Sequence, residues 1–320
     1  MNITVLDDYT DAVRNLKCFH KLANHQVTVL NEHISDIDLL ANKLVNADSI
    51  ILIRERTPIT AQLLARLPNL KLISQFGHAP HIDIAACQQH RVLVCSRTVP
   101  GRPSYATAEL TWGLILASVR RIPQEMQSIK SGTWQTRSAL GWVLRGRTLG
   151  VYGYGRIGTL VAGYGRAFGM NVLIGARKES QERARADGYE IAESTELLFA
   201  NSDVLTLHLA LRDSTRAIVT SDLLSLMKPS SVFVNTSRAE LVASGALESS
   251  LKMGKPGWAA LDVFEKEPVV DANNTLIQLE NVTATPHIGY VEQEGFEIMF
   301  DTMIDQILAF EKGTPIHVLT

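Results

Sequence analysis

The chain has 320 residues, 46% of them hydrophobic and 20% charged, with 31 Lys and Arg against 33 Asp and Glu and a formal net charge of −2. That length accommodates about two domains, and the apolar fraction excludes a disordered chain, which could not bury enough surface to offset its ordering entropy. Near-neutrality excludes bulk attraction to nucleic acid or an anionic membrane, and the three cysteines, Cys18, Cys87 and Cys95, have no spacing suited to a zinc site or a disulfide framework.

From the N-terminus, Met1 to Leu6 is an apolar run closing on Asp7 and Asp8, without the basic and long apolar regions of a signal peptide. Ile3 to Leu6, Val27 to Leu30, Ser49 to Ile53, Leu70 to Ser74 and Val92 to Cys95 read as strands. They are rich in Val, Ile and Leu with little polar alternation, the pattern of strands buried on both faces. Helices are predicted from Ile59 to Leu67 and from Ile82 to His90, and such β-α repetition argues for a parallel sheet. A longer helix runs from Tyr105 to Arg121 and ends at Pro123; its most apolar part, about Leu110 to Val119, is too short to span a bilayer. The stretch from about 100 to 146 reads as a bridge to a second set of strands. These are Thr148 to Tyr152, Asn171 to Gly175, Val204 to Leu209, Ser231 to Asn235, Trp258 to Val263 and Val282 to Ala284. Helices at about 157–168, 195–200, 221–227 and 244–253 fit between them, and a last helix from about 292 to 310 is expected to pack back on the first sheet. The whole reads as α/β, with two doubly wound parallel sheets, in a soluble cytoplasmic protein with no metal site.

Gly153-Tyr154-Gly155-Arg156-Ile157-Gly158 follows one predicted strand and opens a helix. In that setting the first glycine permits a tight turn, the second lets backbone approach a pyrophosphate, and the third lets helix pack against strand. Free N–H groups at the helix start then hold the anion. A dinucleotide is the expected ligand. The next strand, Asn171 to Ala176, ends without the acid that would accept from a ribose 2′-hydroxyl; Arg177 and Lys178 follow instead. Two cations attract a 2′-phosphate, so NADP(H) is expected in preference to NAD(H), with Glu179 also near enough to serve a ribose.

Ligands of doubly wound folds lie beyond the carboxyl ends of the strands. There the chain places Asn235-Thr236-Ser237-Arg238, then Asp262-Val263-Phe264 through Glu267-Pro268, then Thr285-Pro286-His287-Ile288-Gly289. Reduction of a keto acid by hydride needs a proton donor for the carbonyl oxygen, and histidine titrates in the right range. It needs an acid beside that histidine to orient it, and a planar cation to grip carboxylate and carbonyl, which suits arginine better than lysine. Arg238, Glu267 and His287 are candidates for those three roles.

These motifs, in this order and spacing over nearly the whole chain, resemble the D-isomer-specific 2-hydroxyacid dehydrogenase family. The resemblance implies a Rossmann cofactor domain, residues 101–288, inserted into a flavodoxin-like substrate domain of residues 1–100 completed by 289–320. It implies His287 as general acid/base, Glu267 as its partner and Arg238 as substrate anchor. Thr236 and Asp262 would lie against the nicotinamide ribose and carboxamide, Arg156 and Ile157 would meet the pyrophosphate through their backbone, and His208, Ser237 and Gly289 would line the cofactor site. A loop at Gly77, His78 and Ala79 would hold the substrate carboxylate on backbone N–H groups. A homodimer formed through the segment near 100–146 is implied as well.

The loop departs from the family pattern: Ala79 stands where a second glycine is frequent, and His81 follows Pro80 in place of an Asp-Asn pair. The expected activity is reversible hydride transfer between NAD(P)H and a small 2-keto or 2-hydroxy acid, with glyoxylate and hydroxypyruvate as first candidates. The alternatives are a phosphoglycerate dehydrogenase-like enzyme and a non-catalytic nicotinamide-sensing regulator. Against the former, no further domain is expected after Thr320, and residues 75–84 offer a phosphate only histidines.

Overall fold

The N-terminal apolar runs pair into a parallel sheet. In the computed structural model, which describes residues 1–98, 104–135 and 140–319, they are β1 (Asn2–Val5), β2 (Gln26–Val29), β3 (Ser49–Leu52), β4 (Leu72–Phe76) and β5 (Leu93–Arg97). Their order is β2-β1-β3-β4-β5. Every residue of β3 is buried, as the lack of alternation requires of a central strand. Helices α1 (Ile37–Leu44), α2 (Ala61–Leu64) and α3 (Ile84–Gln89) start at Asp36, Thr60 and Asp83, whose side chains accept from backbone N–H groups of the first turn. Leu6, Leu44, Ile50, Leu63, Ile73 and Val94 belong to the core they close. β4 and β5 extend two residues past the ends expected from apolarity. The polar Gln75 and Ser96 are register partners within the ladder, and both are buried.

The second unit begins with α4 (Tyr105–Val119) and α5 (Ile122–Lys130). Pro123 was expected only to end a helix; it also sits in the first turn of α5, where its missing N–H costs nothing, after Arg121 breaks the chain at φ 57°. The sheet that follows contains β6 (Thr148–Tyr152), β7 (Asn171–Gly175), β8 (Glu190–Ile191), β9 (Val204–Leu207), β10 (Val232–Asn235), β11 (Trp258–Leu261) and β12 (Val282–Ala284). The order β12-β11-β10-β9-β6-β7-β8 is parallel throughout and reverses direction between β6 and β9, the switch point at which such sheets bind ligands. α6 (Arg156–Ala167), α7 (Lys178–Ala186), α8 (Thr195–Asn201), α9 (Ser221–Ser225) and α10 (Ala246–Lys252) connect the strands. One core contains Trp112, Val151, Val161 and Ile174, and another contains Phe199, Leu205, Phe233 and Leu247.

The last helix, α11 (Gln293–Glu311), belongs to the first unit and packs on β4 with Phe300, Met303 and Ile307 fully buried. The units are Met1–Arg102 with Val291–Thr320, and Pro103–Tyr290. The expected boundary at 100/101 lies outside the described residues. The return falls after Tyr290 and not at 288, because Gly289 is tied to the second unit: its N–H donates to Asp262 at 2.8 Å and its carbonyl accepts from Thr107 at 2.8 Å.

All three cysteines are buried and unpaired. Burial, with the nearby Glu297 charge, pushes the Cys18 thiol up to about 12. Burial, reinforced at Cys87 by Asp83, pushes Cys87 and Cys95 up to about 11. Among the described residues no helix is long and apolar enough to cross a membrane, and no cluster of three His, Cys, Asp or Glu could hold a metal ion.

Candidate active site

The glycine turn lies between β6 and α6, at the switch point. Gly153 has φ +108°, and a Cβ there would stand 2.5 Å from the His208 carbonyl oxygen. A Cβ on Gly158 would meet the Gly153 carbonyl at 2.0 Å. Those two glycines are required by the protein itself. Gly155 is not: its φ is −101° and a Cβ would meet nothing within 4 Å. The space beside Gly155 is thus available to a ligand at the start of α6, where first-turn N–H groups with no partner inside the helix favour an anion. These residues fit the diphosphate of a dinucleotide.

Arg177 is the residue preceding α7 and Lys178 its first; both are exposed. The helix they begin is braced against the glycine turn. Arg183 Nη2 donates to the Tyr154 carbonyl at 3.0 Å, and the Tyr154 hydroxyl donates to Asp187 at 2.6 Å. Neither Arg183 nor Asp187 was anticipated from the sequence, because both bonds depend on a helix whose charge-rich composition hides it.

His208 Nε2 lies 3.0 Å from Thr206 Oγ1 beneath the same turn. Desolvation pushes its imidazole down to about 3, so the ring is neutral when the protein works near neutrality. A histidine with folded pKa below its unfolded value of about 6.5 stabilises the fold above that value, and the contribution is lost as pH falls toward the folded pKa. His208→Gln should therefore flatten the loss of unfolding free energy between pH 6.5 and 4 by up to about 1.4 kcal/mol per pH unit. Urea unfolding at several pH values measures this; parallel pH slopes in both proteins would contradict it.

At the ends of β10, β11 and β12 lie the three polar clusters. His287 Nδ1 and Glu267 Oε2 are 2.6 Å apart, and both side chains are partly exposed. Glu267 Oε1 accepts from Phe264 N at 2.9 Å, so the carboxylate is itself held. His287 has φ 53°, a left-handed conformation that costs a non-glycine residue energy and recurs at functional sites. The surrounding loop is fixed by Asp262. Its Oδ1 accepts from Thr285 Oγ1 at 2.6 Å and Ile288 N at 2.8 Å, and its Oδ2 accepts from Gly289 N at 2.8 Å. Burial pushes the Asp262 carboxyl above the usual range, against the pull of those bonds. The bonds thus assign Asp262 to shaping the histidine loop, a role not read from the sequence.

Arg238 follows β10, with Nη1 donating to the Ser237 carbonyl at 2.8 Å and its own carbonyl accepting from Asn235 Nδ2 at 2.9 Å. The Ser237 hydroxyl donates to the Leu209 carbonyl at 2.7 Å. Thr236 Oγ1 lies 2.7 Å from Thr111 Oγ1 of α4. Arg156 and Ile157 open α6.

In the first unit, Gly77 has φ +107° and carries the chain out of β4 toward His78 and Ala79. An added Cβ at Gly77 would stand 3.9 Å from Arg54 Nη1. Arg54 follows β3, which neighbours β4. The sequence offers only histidines near this loop because Arg54 is distant along the chain; strand adjacency, not spacing, brings it in.

A family model described as the NAD binding domain of D-isomer specific 2-hydroxyacid dehydrogenases matches residues 112–289. A D-3-phosphoglycerate dehydrogenase of Methanocaldococcus jannaschii is 36% identical over 275 residues, covering 86% of this chain and 52% of that one. A glyoxylate reductase of Aeropyrum pernix is also 36% identical, over 286 residues, covering 86% of this chain and 83% of the other. The crystal structure of a phosphoglycerate oxidoreductase from Vibrio cholerae superposes with a TM-score of 0.92 at 44% identity, covering 98% of this chain and 99% of that chain. The chain spans about half the length of the phosphoglycerate dehydrogenases it matches first.

Proposed function

This chain belongs to the D-isomer-specific 2-hydroxyacid dehydrogenase family, and from that premise we propose that it transfers hydride reversibly between NADPH and a small 2-keto acid, giving the D-2-hydroxy acid. The observation that carries the reading is the His287–Glu267 contact of 2.6 Å at the strand ends of a dinucleotide-binding sheet. With Nδ1 engaged by Glu267, the atom of His287 left to give and take a proton is Nε2. Glu267 fixes the ring's tautomer and direction. Arg238 holds the substrate carboxylate and carbonyl oxygen in one plane. We assign the backbone N–H groups of His78 and Ala79 to the substrate carboxylate as well; the Gly77 N–H is spent on the Arg97 carbonyl at 2.9 Å. A bound nicotinamide cofactor supplies the hydride. Gly153, Gly155, Arg156, Ile157 and Gly158 hold its diphosphate, and Arg177 and Lys178 hold its 2′-phosphate. Thr236, Ser237, Asp262, His208 and Gly289 line the remainder.

For the substrate, two observations favour a phosphorylated hydroxy acid of the 3-phosphoglycerate type over glyoxylate or hydroxypyruvate. Relatives at 36% and 44% identity carry phosphoglycerate in their names, and Arg54 stands beside Gly77, the cation whose absence weighed against that class. The glyoxylate reading retains the Aeropyrum relative as its support. A second copy of the chain is the proposed partner: Trp134, Leu140 and Val143, which follow α5, are 81%, 95% and 69% exposed, an apolar surface that an isolated chain would leave in water.

The test compares kcat/KM for NADPH and NADH against 3-phosphohydroxypyruvate, glyoxylate, hydroxypyruvate and pyruvate. Higher efficiency with NADPH and with the phosphorylated acid is expected. Equal or better use of NADH would overturn the cofactor assignment. Tight NADPH binding with no turnover on any acid would replace the enzyme with a cofactor-sensing regulator.

A further inference from the structure

Both carbonyl groups of the turn that leaves β4 are anchored. Ser96 Oγ donates to the Gly77 carbonyl at 2.7 Å, and Gln75 Nε2 donates to the His78 carbonyl at 2.5 Å. The donors are opposed residues near the carboxyl ends of their strands, Gln75 on β4 and Ser96 on β5, 0% and 7% exposed. A third bond, from Gly77 N to the Arg97 carbonyl at 2.9 Å, pins the start of the turn.

The peptide bonds after Gly77 and His78 are trans. In a trans peptide the C=O of one residue and the N–H of the next point in opposite directions. Drawing the Gly77 carbonyl onto Ser96 therefore turns the His78 N–H away from Ser96. Drawing the His78 carbonyl onto Gln75 turns the Ala79 N–H away from Gln75. Among the described residues neither N–H has a hydrogen-bond partner. Two successive N–H groups left available in this way suit an anion.

We infer that Gln75 and Ser96 are positioning residues of the substrate site, setting the direction of the two N–H groups that receive the carboxylate. This rests on the assignment of the loop to that carboxylate made above. The cost of Gln75 supports the inference. Its Oε1 is buried without a partner, and an orphaned buried acceptor is a net penalty. Its return is the orientation that its Nε2 imposes on the loop.

The experiment uses Gln75→Met, which keeps length and loses the donor, with Ser96→Ala and its conservative control Ser96→Thr. KM for the keto acid and the inhibition constant of oxalate should each rise about tenfold in Gln75→Met and Ser96→Ala, the loss of one hydrogen bond. The kcat and the NADPH dissociation constant should stay unchanged, and Ser96→Thr should restore oxalate binding. Should Gln75→Met fail to fold, the Ser96 pair carries the test. An unchanged oxalate constant in folded variants overturns the inference. Amide NMR of the wild-type protein with NADP⁺ and oxalate separates the two levels. If the His78 and Ala79 signals do not shift, the loop is not the carboxylate site and its assignment falls as well. If they shift while the variants bind oxalate normally, only the positioning role falls.

Discussion

His287→Ala should lower turnover of a 2-keto acid by about 10²–10⁴, the range contributed by a positioned general acid, while NADPH still binds. As hydride reaches the carbonyl carbon, negative charge grows on the oxygen, and a positioned proton donor relieves it. On the proposed assignment His287 relieves this through Nε2, because its other ring nitrogen is engaged. Nδ1 meets Glu267 at 2.6 Å, and Glu267 is held in turn by Phe264 N at 2.9 Å. The backbone is fixed too: His287 takes a left-handed conformation with its own N–H donating to the Thr285 carbonyl at 3.0 Å, and the next two N–H groups bond to Asp262. The loss should fall on kcat. Stopped-flow NADPH oxidation beside a fluorescence titration of NADPH measures both quantities; wild-type turnover in the variant would remove His287 from the mechanism.

Arg238→Lys should lower kcat/KM for the keto acid by about 10², the scale of losing one donor aimed at developing negative charge. Charge is retained, so the loss isolates geometry. A guanidinium presents two parallel N–H groups to a carboxylate and an adjacent carbonyl, whereas an ammonium is a point charge that cannot fix their common plane. The main chain at Arg238 is set by Asn235, whose Nδ2 donates to the Arg238 carbonyl and whose Oδ1 accepts from Ser237 N at 3.0 Å. The lysine variant should therefore keep the loop and its NADPH affinity. Steady-state kinetics with a keto acid, at saturating NADPH, gives the answer; unchanged kcat/KM would exclude Arg238 as the anchor.

The parts of the site that the sequence disclosed are those whose chemistry is local. The glycine turn could be read because its strand, its three glycines and its helix are contiguous, and the structure adds only why Gly153 and Gly158 are obligatory and Gly155 is not. Glu267 and His287 could be paired because each follows a strand in one sheet. The roles of Asp262 and Arg54 were hidden for the opposite reason. Asp262 acts through bonds to residues 285–289, which fold back over it, and Arg54 reaches Gly77 only because β3 and β4 are neighbours. Helix α7 escaped notice since only Ser180 and Ala184 of its nine residues are buried, leaving no apolar stripe to read. Polarity misplaced the ends of β4 and β5 because the buried Gln75 and Ser96 continue the ladder and bond the carbonyls of the loop that follows.

Reduction with NADPH carrying deuterium at both C4 positions of the nicotinamide tests the hydride-transfer claim most directly. The account predicts a D-2-hydroxy acid bearing that deuterium at C2, formed in step with cofactor oxidation. Product without the label, or cofactor left unoxidised beside every keto acid offered, would contradict it.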